Sequence, residues 1–420
     1  MSNSAVLKSM EKYVKIYKMP RRRKKFEEKI INLDSPIVIN KLTPTGQGIA
    51  TLSDGKKIFL WNALKDEEIS SYKLIKSKSS YDEGIALEFK KTSADRIEPR
   101  DKQYLSTSPW QIMTDEAEVR EKTNVLKELY RNLYKSEIVF HQSPKTWNYR
   151  NKMEYSLYYN FESEKIELAI HPRGSHSKMP IKTSSIERAE IFKKAQEIID
   201  DLNKNGGEAR NYSALLLRCN QNGDVEGGLL EKNKSHPVFK NLEDKILDNT
   251  YSYSPNGFFQ INLGVYELAL KRIKEFIDTI KTNNVVDLYS GVGTIGLSTA
   301  GDKNLTLVEV DKSAYKELEN NCKDIKNAKP VLAKSEEALE YIEPDSVIIL
   351  DPPRAGCDKA LIDKLIEVKP KKIIYLSCNP ITQVRDVELL IGAGAKLESL
   401  EGFNFFPQTP HIESLVSISF

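Results

Sequence analysis

Residues 284–296 read NVVDLYSGVGTIG, and this stretch decides the fold of the C-terminal part of the chain. An apolar, β-branched run leads directly into a glycine-rich loop, and a helical segment follows the loop. Glycines let a backbone turn sharply and approach a ligand closely, and such a loop needs a strand before it and a helix after it. The stretch therefore predicts a Rossmann-like unit that binds a nucleotide-like cofactor.

The next predicted strand ends in Glu309, about 20 residues beyond the loop. A carboxylate at this spacing can accept hydrogen bonds from both hydroxyl groups of a ribose. The loop also satisfies the dinucleotide-binding pattern G-x-G-x-x-G. Because NAD and S-adenosylmethionine both carry adenosine, the loop alone does not separate them, although Asp287 ahead of the loop suits a methyltransferase.

Around this unit, continuous apolar runs alternate with helical stretches from residue 257 to the end of the chain. This alternation is typical of a parallel sheet with helices on both faces. The fold class is therefore α/β, with a Rossmann-like domain over residues 257–420. The predicted strands are residues 284–288, 305–310, 346–350, 372–376 and 415–420.

Two strand ends of this sheet carry groups that suit catalysis. Asp351-Pro352-Pro353-Arg354 ends one strand, and its prolines stiffen the loop that holds the Asp351 carboxylate. Cys378, in Leu376-Ser377-Cys378-Asn379-Pro380, ends the next strand at the mouth of a predicted loop, where an α/β enzyme can hold a nucleophile. A buried cysteine is more often an inert apolar side chain, and that interpretation stands for the remaining cysteines, Cys219, Cys322 and Cys357.

A candidate base for a thiol nucleophile is Glu413, which precedes the last predicted strand in Thr409-Pro410-His411-Ile412-Glu413. His411 is a rival base, although a histidine in such a place is more often structural.

The sequence of residues 1–256 predicts three further segments. Residues 1–31 form a basic tail with Arg21-Arg22-Arg23-Lys24-Lys25, which is either a solvated, partly helical arm or an arm that binds phosphates. Residues 32–99 show short apolar runs between turn signals, as in a small β-barrel. Residues 100–256 form a mixed α/β central domain, and its amphipathic helix at 110–135 could pack on the catalytic domain.

The chain has 420 residues and a formal net charge of +3, so any nucleic-acid surface must come from local clusters of charge. No apolar run reaches the roughly 20 residues that span a bilayer, and we see no secretory signal. The four cysteines form no C-x-x-C pair, so the usual metal-ligand spacing is missing and reduced thiols are favoured. We expect a cytoplasmic monomer without a metal site.

Five motifs in order resemble those of the S-adenosylmethionine-dependent RNA uracil-C5 methyltransferases. They are Phe258-Phe259-Gln260-Ile261-Asn262, Asp287-Leu288-Tyr289-Ser290-Gly291-Val292-Gly293, Asp351-Pro352-Pro353-Arg354, Ser377-Cys378-Asn379-Pro380 and His411-Ile412-Glu413-Ser414. The predicted barrel resembles the TRAM domain, an OB-like RNA-binding barrel, through Gly46-Gln47-Gly48-Ile49-Ala50, Asp54-Gly55 and residues 93–99. Tyr149-Arg150-Asn151-Lys152-Met153-Glu154 is similar to a motif of the family's central domain.

The resemblance implies that Cys378 is the nucleophile and Glu413 the proton acceptor. It implies S-adenosyl-L-methionine as cofactor and RNA as partner, with ribosomal RNA favoured over transfer RNA, and neither DNA nor a membrane. The implied cofactor residues are Gln260, Tyr289, Gly291, Thr294, Glu309 and Asp351, and those for the flipped base are Phe258, Gln260 and Asp351. Thr294 stands where relatives often have another small polar residue.

Residues 104–111 depart from the family pattern. Many TRAM-bearing relatives carry an iron–sulfur cluster on four cysteines between barrel and central domain, and this stretch has no cysteine. We therefore expect no cluster.

Three other functions remain open. An exocyclic-amino methyltransferase would have an aromatic residue in place of Arg354 and would not need Cys378. A nicotinamide-dependent dehydrogenase with a catalytic cysteine would fit the glycine pattern, although the loop lies late in the chain. A non-catalytic RNA-binding protein could keep the fold without the activity.

Overall fold

The computed structural model describes residues 29–175 and 177–420. The predicted basic cluster Arg21-Arg22-Arg23-Lys24-Lys25 lies outside the described residues. No helix within them is long and apolar enough to cross a membrane. The α-helices are Tyr104–Thr107, Asp115–Leu129, Ala189–Lys204, Leu263–Asp278, Thr294–Thr299, Lys312–Cys322, Lys359–Val368 and Pro380–Gly392, and the 3₁₀ turns are Ala209–Asn211, Ser335–Glu337 and Leu339–Tyr341.

The N-terminal strands form a six-stranded sheet that closes on itself. Its order is β1-β5-β6-β4-β3-β2, so β1 and β2 lie at opposite ends although two residues separate them in the chain. Between them, Ile39 N–H donates to Glu67 O at 3.0 Å and Asn40 N–H donates to Ile49 O at 2.9 Å, which joins the two ends. The strands are β1 (Lys29–Val38), β2 (Lys41–Leu42), β3 (Gly48–Thr51), β4 (Lys57–Trp61), β5 (Glu68–Ser77) and β6 (Tyr81–Lys91).

A second, antiparallel sheet of five strands follows, and the amphipathic helix Ala189–Lys204 packs on one of its faces. The helix buries Ile191, Ala195, Ile199 and Leu202, a helical spacing that puts all four on the sheet side. The strand order is β10 (Met179–Pro180), β9 (Lys165–Ile170), β8 (Lys152–Asn160), β11 (Tyr212–Cys219) and β12 (Val225–Glu231).

The C-terminal sheet has eight strands in the order β17-β16-β15-β18-β19-β21-β20-β7. The strands from β17 to β19 run parallel, and β21 is antiparallel to both β19 and β20. The strands are β7 (Val139–His141), β15 (Asn284–Leu288), β16 (Asn304–Glu309), β17 (Ala328–Leu332), β18 (Ser346–Leu350), β19 (Lys372–Ser377), β20 (Lys396–Phe403) and β21 (Glu413–Ser419).

The predicted α/β class and the C-terminal parallel sheet are confirmed. Every residue of β18 and β19 is buried, because helices cover both faces of the sheet and leave no polar side for the strands. The carboxyl ends of β15, β16, β18 and β19 therefore meet along one edge, which is where loops of such sheets carry functional groups.

Two segments from earlier in the chain complete this C-terminal core. Strand β7 pairs in parallel with β20, and the helix Asp115–Leu129 packs on the helix Pro380–Gly392. The antiparallel hairpin of β13 (Leu242–Ile246) and β14 (Asn249–Tyr253) contributes Leu242, Ile246, Tyr251 and Tyr253 to the same hydrophobic cluster as β15.

The helix predicted at 110–135 is shorter in the structure, and that prediction of its bounds was wrong. Thr114 caps the N-terminus because its hydroxyl accepts a hydrogen bond from Ala117 N–H at 3.2 Å. Ahead of this cap, Trp110 N–H donates to Gln408 O at 3.0 Å, so tertiary contacts hold residues 110–113 as a turn. The helical periodicity of the sequence did not reveal that these tertiary contacts replace the first turn of the predicted helix.

Candidate active site

The glycine loop leaves room for a ligand at one glycine and not at the next. Tyr289 has φ +63°, Gly291 φ +56° and Gly293 φ +88°, so the backbone turns through the left-handed region three times. A Cβ on Gly291 would meet nothing within 4 Å, whereas a Cβ on Gly293 would lie 2.6 Å from Leu318 Cδ1. Gly291 therefore faces open space, and Gly293 allows the loop to pack closely on the helix Lys312–Cys322.

Two carboxylates hold this loop in shape. Glu309 Oε2 accepts a hydrogen bond from Gly291 N–H at 2.8 Å, and its Oε1 accepts from Asp311 N–H at 2.6 Å. Asp287 Oδ2 accepts from Gly296 N–H at 2.8 Å. Asp287 Oδ1 is buried without a partner among the described residues.

Three carboxylates crowd this edge of the sheet. Burial raises the pKa of Asp287 to about 8, and the negative charges of Asp351 and Glu309 add to the shift. Although part of Asp351 remains exposed, burial of its carboxyl group raises its pKa to about 7. A cationic ligand would lower these raised pKa values and favour the charged carboxylates, whereas an anionic ligand would raise them further.

The pocket fits S-adenosylmethionine better than a dinucleotide. The sulfonium and ammonium groups of S-adenosylmethionine are cations that stabilise ionised carboxylates, whereas the pyrophosphate of NAD is an anion and would bring further negative charge to this carboxyl-rich site. The unpartnered Asp287 Oδ1, the open approach at Gly291 and the remaining lone pairs of Glu309 are further features that a bound cofactor could use.

Cys378 and Glu413 come together across a pair of antiparallel strands. Ser377 pairs with Ser414 in the β19–β21 ladder, so the residues that follow and precede this pair in the chain, Cys378 and Glu413, lie next to each other. Cys378 is half-buried, and Glu413 is 3% exposed.

The charge of Glu413 affects the thiol. Burial, together with the charges of Glu413 and Asp351, raises the pKa of Cys378 to about 11, while Arg354 counteracts the shift through its charge and a hydrogen bond. Burial also raises the pKa of Glu413 well above its usual value, with an added effect of Asp351. Such raised pKa values in a thiol and a carboxyl group that lie side by side are typical of groups that exchange protons in catalysis.

The loop predicted after Cys378 is instead the start of a helix. Pro380–Gly392 is helical, and Asn379 caps it because its side-chain oxygen accepts a hydrogen bond from Ile381 N–H at 3.3 Å. Asn379 Nδ2 donates to Arg354 O at 2.8 Å, which ties the nucleophile's neighbour to the Asp-Pro-Pro-Arg loop.

The ring of Phe258 projects into solvent, while hydrogen bonds hold the backbone on either side of it. It is 71% exposed, while its neighbour Phe259 is buried and stacks on Tyr253 with ring centroids 3.8 Å apart. Lys152 Nζ donates to Gly257 O at 3.0 Å, and Arg218 donates to Phe259 O at 2.8 Å. Two cations from the central sheet therefore fix the loop that presents Phe258.

Gln260 lies next in this loop and keeps its side-chain amide free of hydrogen bonds to other described residues. Its backbone carbonyl accepts from Asn151 Nδ2 at 2.9 Å, and the residue is 9% exposed. A buried amide without a protein partner has both donor and acceptor capacity for a ligand.

Tyr289 and Thr294 occupy the two ends of the glycine loop. Tyr289 N–H donates to Ser335 Oγ at 3.1 Å, and burial raises the pKa of the half-buried Tyr289 hydroxyl. Thr294 is buried at the start of its helix, and its backbone carbonyl accepts a hydrogen bond from the Tyr251 hydroxyl at 3.5 Å.

Four basic groups surround His411, the rival base. His411 is exposed, yet its pKa is lowered to about 4 by desolvation of its ring and by the charges of Arg354, Lys122, Arg150 and Arg173. The imidazole is therefore neutral near pH 7 and a weak base. Arg173 stacks on Trp61 of the barrel with its guanidinium 3.8 Å from the ring centroid, and the sequence contained no signal for this residue.

No group of three or more potential metal ligands occurs among residues 29–175 and 177–420. Beside the cysteine-free stretch 104–111, Asp101, Gln111 and Ser185 form a polar network. Asp101 accepts hydrogen bonds from Gln111 Nε2 at 2.9 Å and from Ser185 N–H at 3.1 Å and Oγ at 2.9 Å. These bonds link the stretch after the barrel to the central domain.

Comparisons with known proteins agree with this geometry. Residues 238–419 match the family model described as tRNA (Uracil-5-)-methyltransferase. The chain is 27% identical to an uncharacterized RNA methyltransferase of Enterococcus faecalis, over 91% of this chain and 96% of that protein. It is 29% identical to an uncharacterized RNA methyltransferase of Lactobacillus johnsonii, over 90% and 96%.

A solved structure shares the fold. The tRNA (uracil-54, C5)-methyltransferase of Pyrococcus abyssi, in complex with S-adenosyl-L-homocysteine, superposes with a TM-score of 0.72 at 21% identity, over 91% of this chain and 100% of that one. The predicted enzyme class, an S-adenosylmethionine-dependent RNA uracil-C5 methyltransferase, is confirmed by the family model that matches residues 238–419.

Proposed function

We propose that this enzyme methylates C5 of one uridine in ribosomal RNA, with Cys378 as nucleophile and Glu413 as base. The observation that carries the proposal is the Ser377–Ser414 strand pair, which brings the thiol and the carboxyl group together beside the cofactor loop. Sequence positions 35 residues apart meet there, and both side chains have perturbed pKa values.

The chemistry explains why both groups are needed. Uracil C5 is a poor nucleophile, and addition of the Cys378 thiolate to C6 makes C5 enolate-like. S-adenosylmethionine, when bound, supplies an electrophilic methyl group to that carbon. Glu413 then removes the C5 proton, the C6–sulfur bond breaks, and the ring regains its double bond as Cys378 leaves.

Other residues of the pocket support these steps. Arg354, within hydrogen-bonding reach of the thiol, stabilises the thiolate that burial disfavours. The exposed ring of Phe258 offers a surface for a base that has left its stack, and the unpartnered amide of Gln260 can bind the edge of that base. Asp351, Glu309 and Gly291 line the side that suits the cofactor.

The N-terminal barrel supports RNA as partner and ribosomal RNA as the target class. We assign it as a TRAM-like, OB-type barrel on its strand order and on the resemblance of residues 32–99 to that domain. Such barrels bind single-stranded RNA on their surface. Transfer RNA is the second candidate, because the similar Pyrococcus abyssi enzyme acts on uracil-54 of tRNA. We further propose a cytoplasmic monomer without an iron–sulfur cluster.

The test is methyl transfer from labelled S-adenosylmethionine to separate pools of unmodified ribosomal and transfer RNA, followed by mapping of the labelled nucleotide. We expect 5-methyluridine at one position of ribosomal RNA. Label found only in transfer RNA would show that the target is transfer RNA and not ribosomal RNA. Label at a base other than uracil, or on an exocyclic amine, would overturn the mechanism.

A further inference from the structure

Gln383 lies in the first turn of the helix that begins directly after Cys378, and none of its side chain is exposed. Every hydrogen-bonding position of its amide is used. Nε2 donates to Tyr375 O at 2.8 Å and to Ser414 O at 3.1 Å, while Oε1 accepts from Ser414 Oγ at 2.6 Å and from the Tyr130 hydroxyl at 2.8 Å. A saturated buried amide has one orientation, because any rotation would break several bonds at once.

These bonds act on the two strands that carry the reacting groups. Two of them bind Ser414, from its backbone and from its side chain, and Ser414 is the residue directly after Glu413. A third binds the backbone of Tyr375 in β19, three residues before Cys378. The hydrogen bonds of Gln383 therefore hold Glu413 more directly than they hold Cys378.

We propose that Gln383 is a positioning residue for proton removal from C5, because it fixes Glu413 relative to Cys378. This inference rests on the proposed roles of those two residues. Gln383 does not touch the reacting atoms, and it acts through the β21 backbone at Ser414. Cys378 has a separate support in the helix cap at Asn379, the next residue in the chain.

The variant that tests this is Gln383→Met, which keeps an unbranched side chain of similar length and removes all four hydrogen bonds. Tyr130→Phe is the matched control, because it removes one bond to Gln383 and leaves both strands bound. Ser414→Ala is a milder second variant, because the bond to the Ser414 carbonyl survives. Thermal melting and S-adenosylhomocysteine binding establish that each variant is folded.

Two RNA substrates separate the steps. With uridine at the target, turnover requires addition, methyl transfer and proton removal. With 5-fluorouridine, C5 carries fluorine in place of the proton, so the covalent adduct forms without the step that uses Glu413 and then persists. The rate of adduct formation on 5-fluorouridine RNA thus reports on Cys378 and the cofactor alone.

For Gln383→Met we expect turnover on uridine RNA to fall about tenfold or more, since a small misplacement of a catalytic group is costly. Adduct formation on 5-fluorouridine RNA should stay within about threefold of wild type, and a covalent adduct with uridine RNA should build up. Ser414→Ala should show the same pattern more weakly, and Tyr130→Phe should match wild type within about threefold on both substrates.

Equal losses on both substrates, or unchanged turnover in folded Gln383→Met, would overturn the positioning role. If Gln383→Met does not fold, a folded Ser414→Ala without a selective loss on uridine RNA would overturn it as well. Failure of the wild-type enzyme to form the 5-fluorouridine adduct would instead refute the proposed function, so the two ideas fail by different observations.

Discussion

Cys378 and Glu413 lie opposite each other at the ends of neighbouring strands, directly beyond the cross-strand pair Ser377–Ser414, because β19 and β21 run antiparallel. The antiparallel partner is what makes this possible, since in a fully parallel sheet the last strand would carry Glu413 to the opposite edge. One edge of the sheet thus holds the cofactor loop, the thiol and the carboxyl group together.

Replacement of the nucleophile should abolish the reaction and spare the cofactor site. For Cys378→Ala we expect no detectable methylation, with S-adenosylmethionine affinity unchanged in calorimetry, because the glycine loop and Glu309 are untouched. Cys322→Ala is the control, since that buried thiol lies in the helix behind the loop and should leave methylation intact. Robust methylation by Cys378→Ala would remove the thiol from the mechanism.

Replacement of the base should trap the enzyme on its substrate. For Glu413→Gln we expect a covalent RNA adduct on a denaturing gel, because the methylated intermediate keeps its C5 proton and cannot release Cys378. Glu401→Gln changes another buried glutamate, whose carboxylate is bound by His141 and Arg272, and should turn over without an adduct. Methylated product without any adduct from Glu413→Gln would place the base elsewhere.

The rate of the chemical step should rise with pH. The pKa of Cys378 is raised to about 11 and that of Glu413 is also raised, so both groups bind protons more tightly than usual at neutral pH. Both must be deprotonated to act, and the thiolate fraction grows as pH approaches that pKa. Single-turnover rates measured from about pH 6 to about pH 9 should therefore increase. A rate that declines over this range would contradict the assignment.

Loss of the exposed ring at Phe258 should lower the catalytic efficiency with RNA more than the affinity for the cofactor. For Phe258→Ala we expect kcat/KM for RNA to fall about tenfold, since base–aromatic stacking contributes roughly 1–3 kcal/mol. Phe161→Ala serves as control, because it removes another exposed aromatic ring. Phe161 is 82% exposed and lies in the turn between β8 and β9. Equal effects of the two substitutions would show that Phe258 has no special part in binding the base.

The polar network at Asp101 should contribute to the stability of the fold. Asp101→Ala leaves Gln111 and Ser185 without their acceptor, and we expect the free energy of unfolding to fall by about 2 kcal/mol or more. Urea denaturation measures this, with Asp200→Ala on the exposed face of its helix as control. An Asp101→Ala protein as stable as wild type would mean that the network is dispensable.

Much of the site was accessible from the sequence, because catalytic groups of this sheet sit at strand ends and strand ends are marked by local patterns. Asp351, Cys378 and Glu413 were each predicted beside an apolar run, and the structure places them at one edge. The start of the helix after Cys378 was missed, since the cap at Asn379 and the proline at position 380 also fit a loop.

The sequence by itself determined the kinds of chemical group, their order along the chain and the parallel sheet that carries them. Residue type and local periodicity are properties of neighbouring residues, and neither needs a folded chain to be observed. Only the tertiary structure decided that three carboxylates share one pocket, that Arg173 reaches the barrel and that Gln383 clamps both reacting strands. These features join residues far apart in the chain, as when Lys122 binds Asn404 across 282 positions, and no local pattern encodes such a contact.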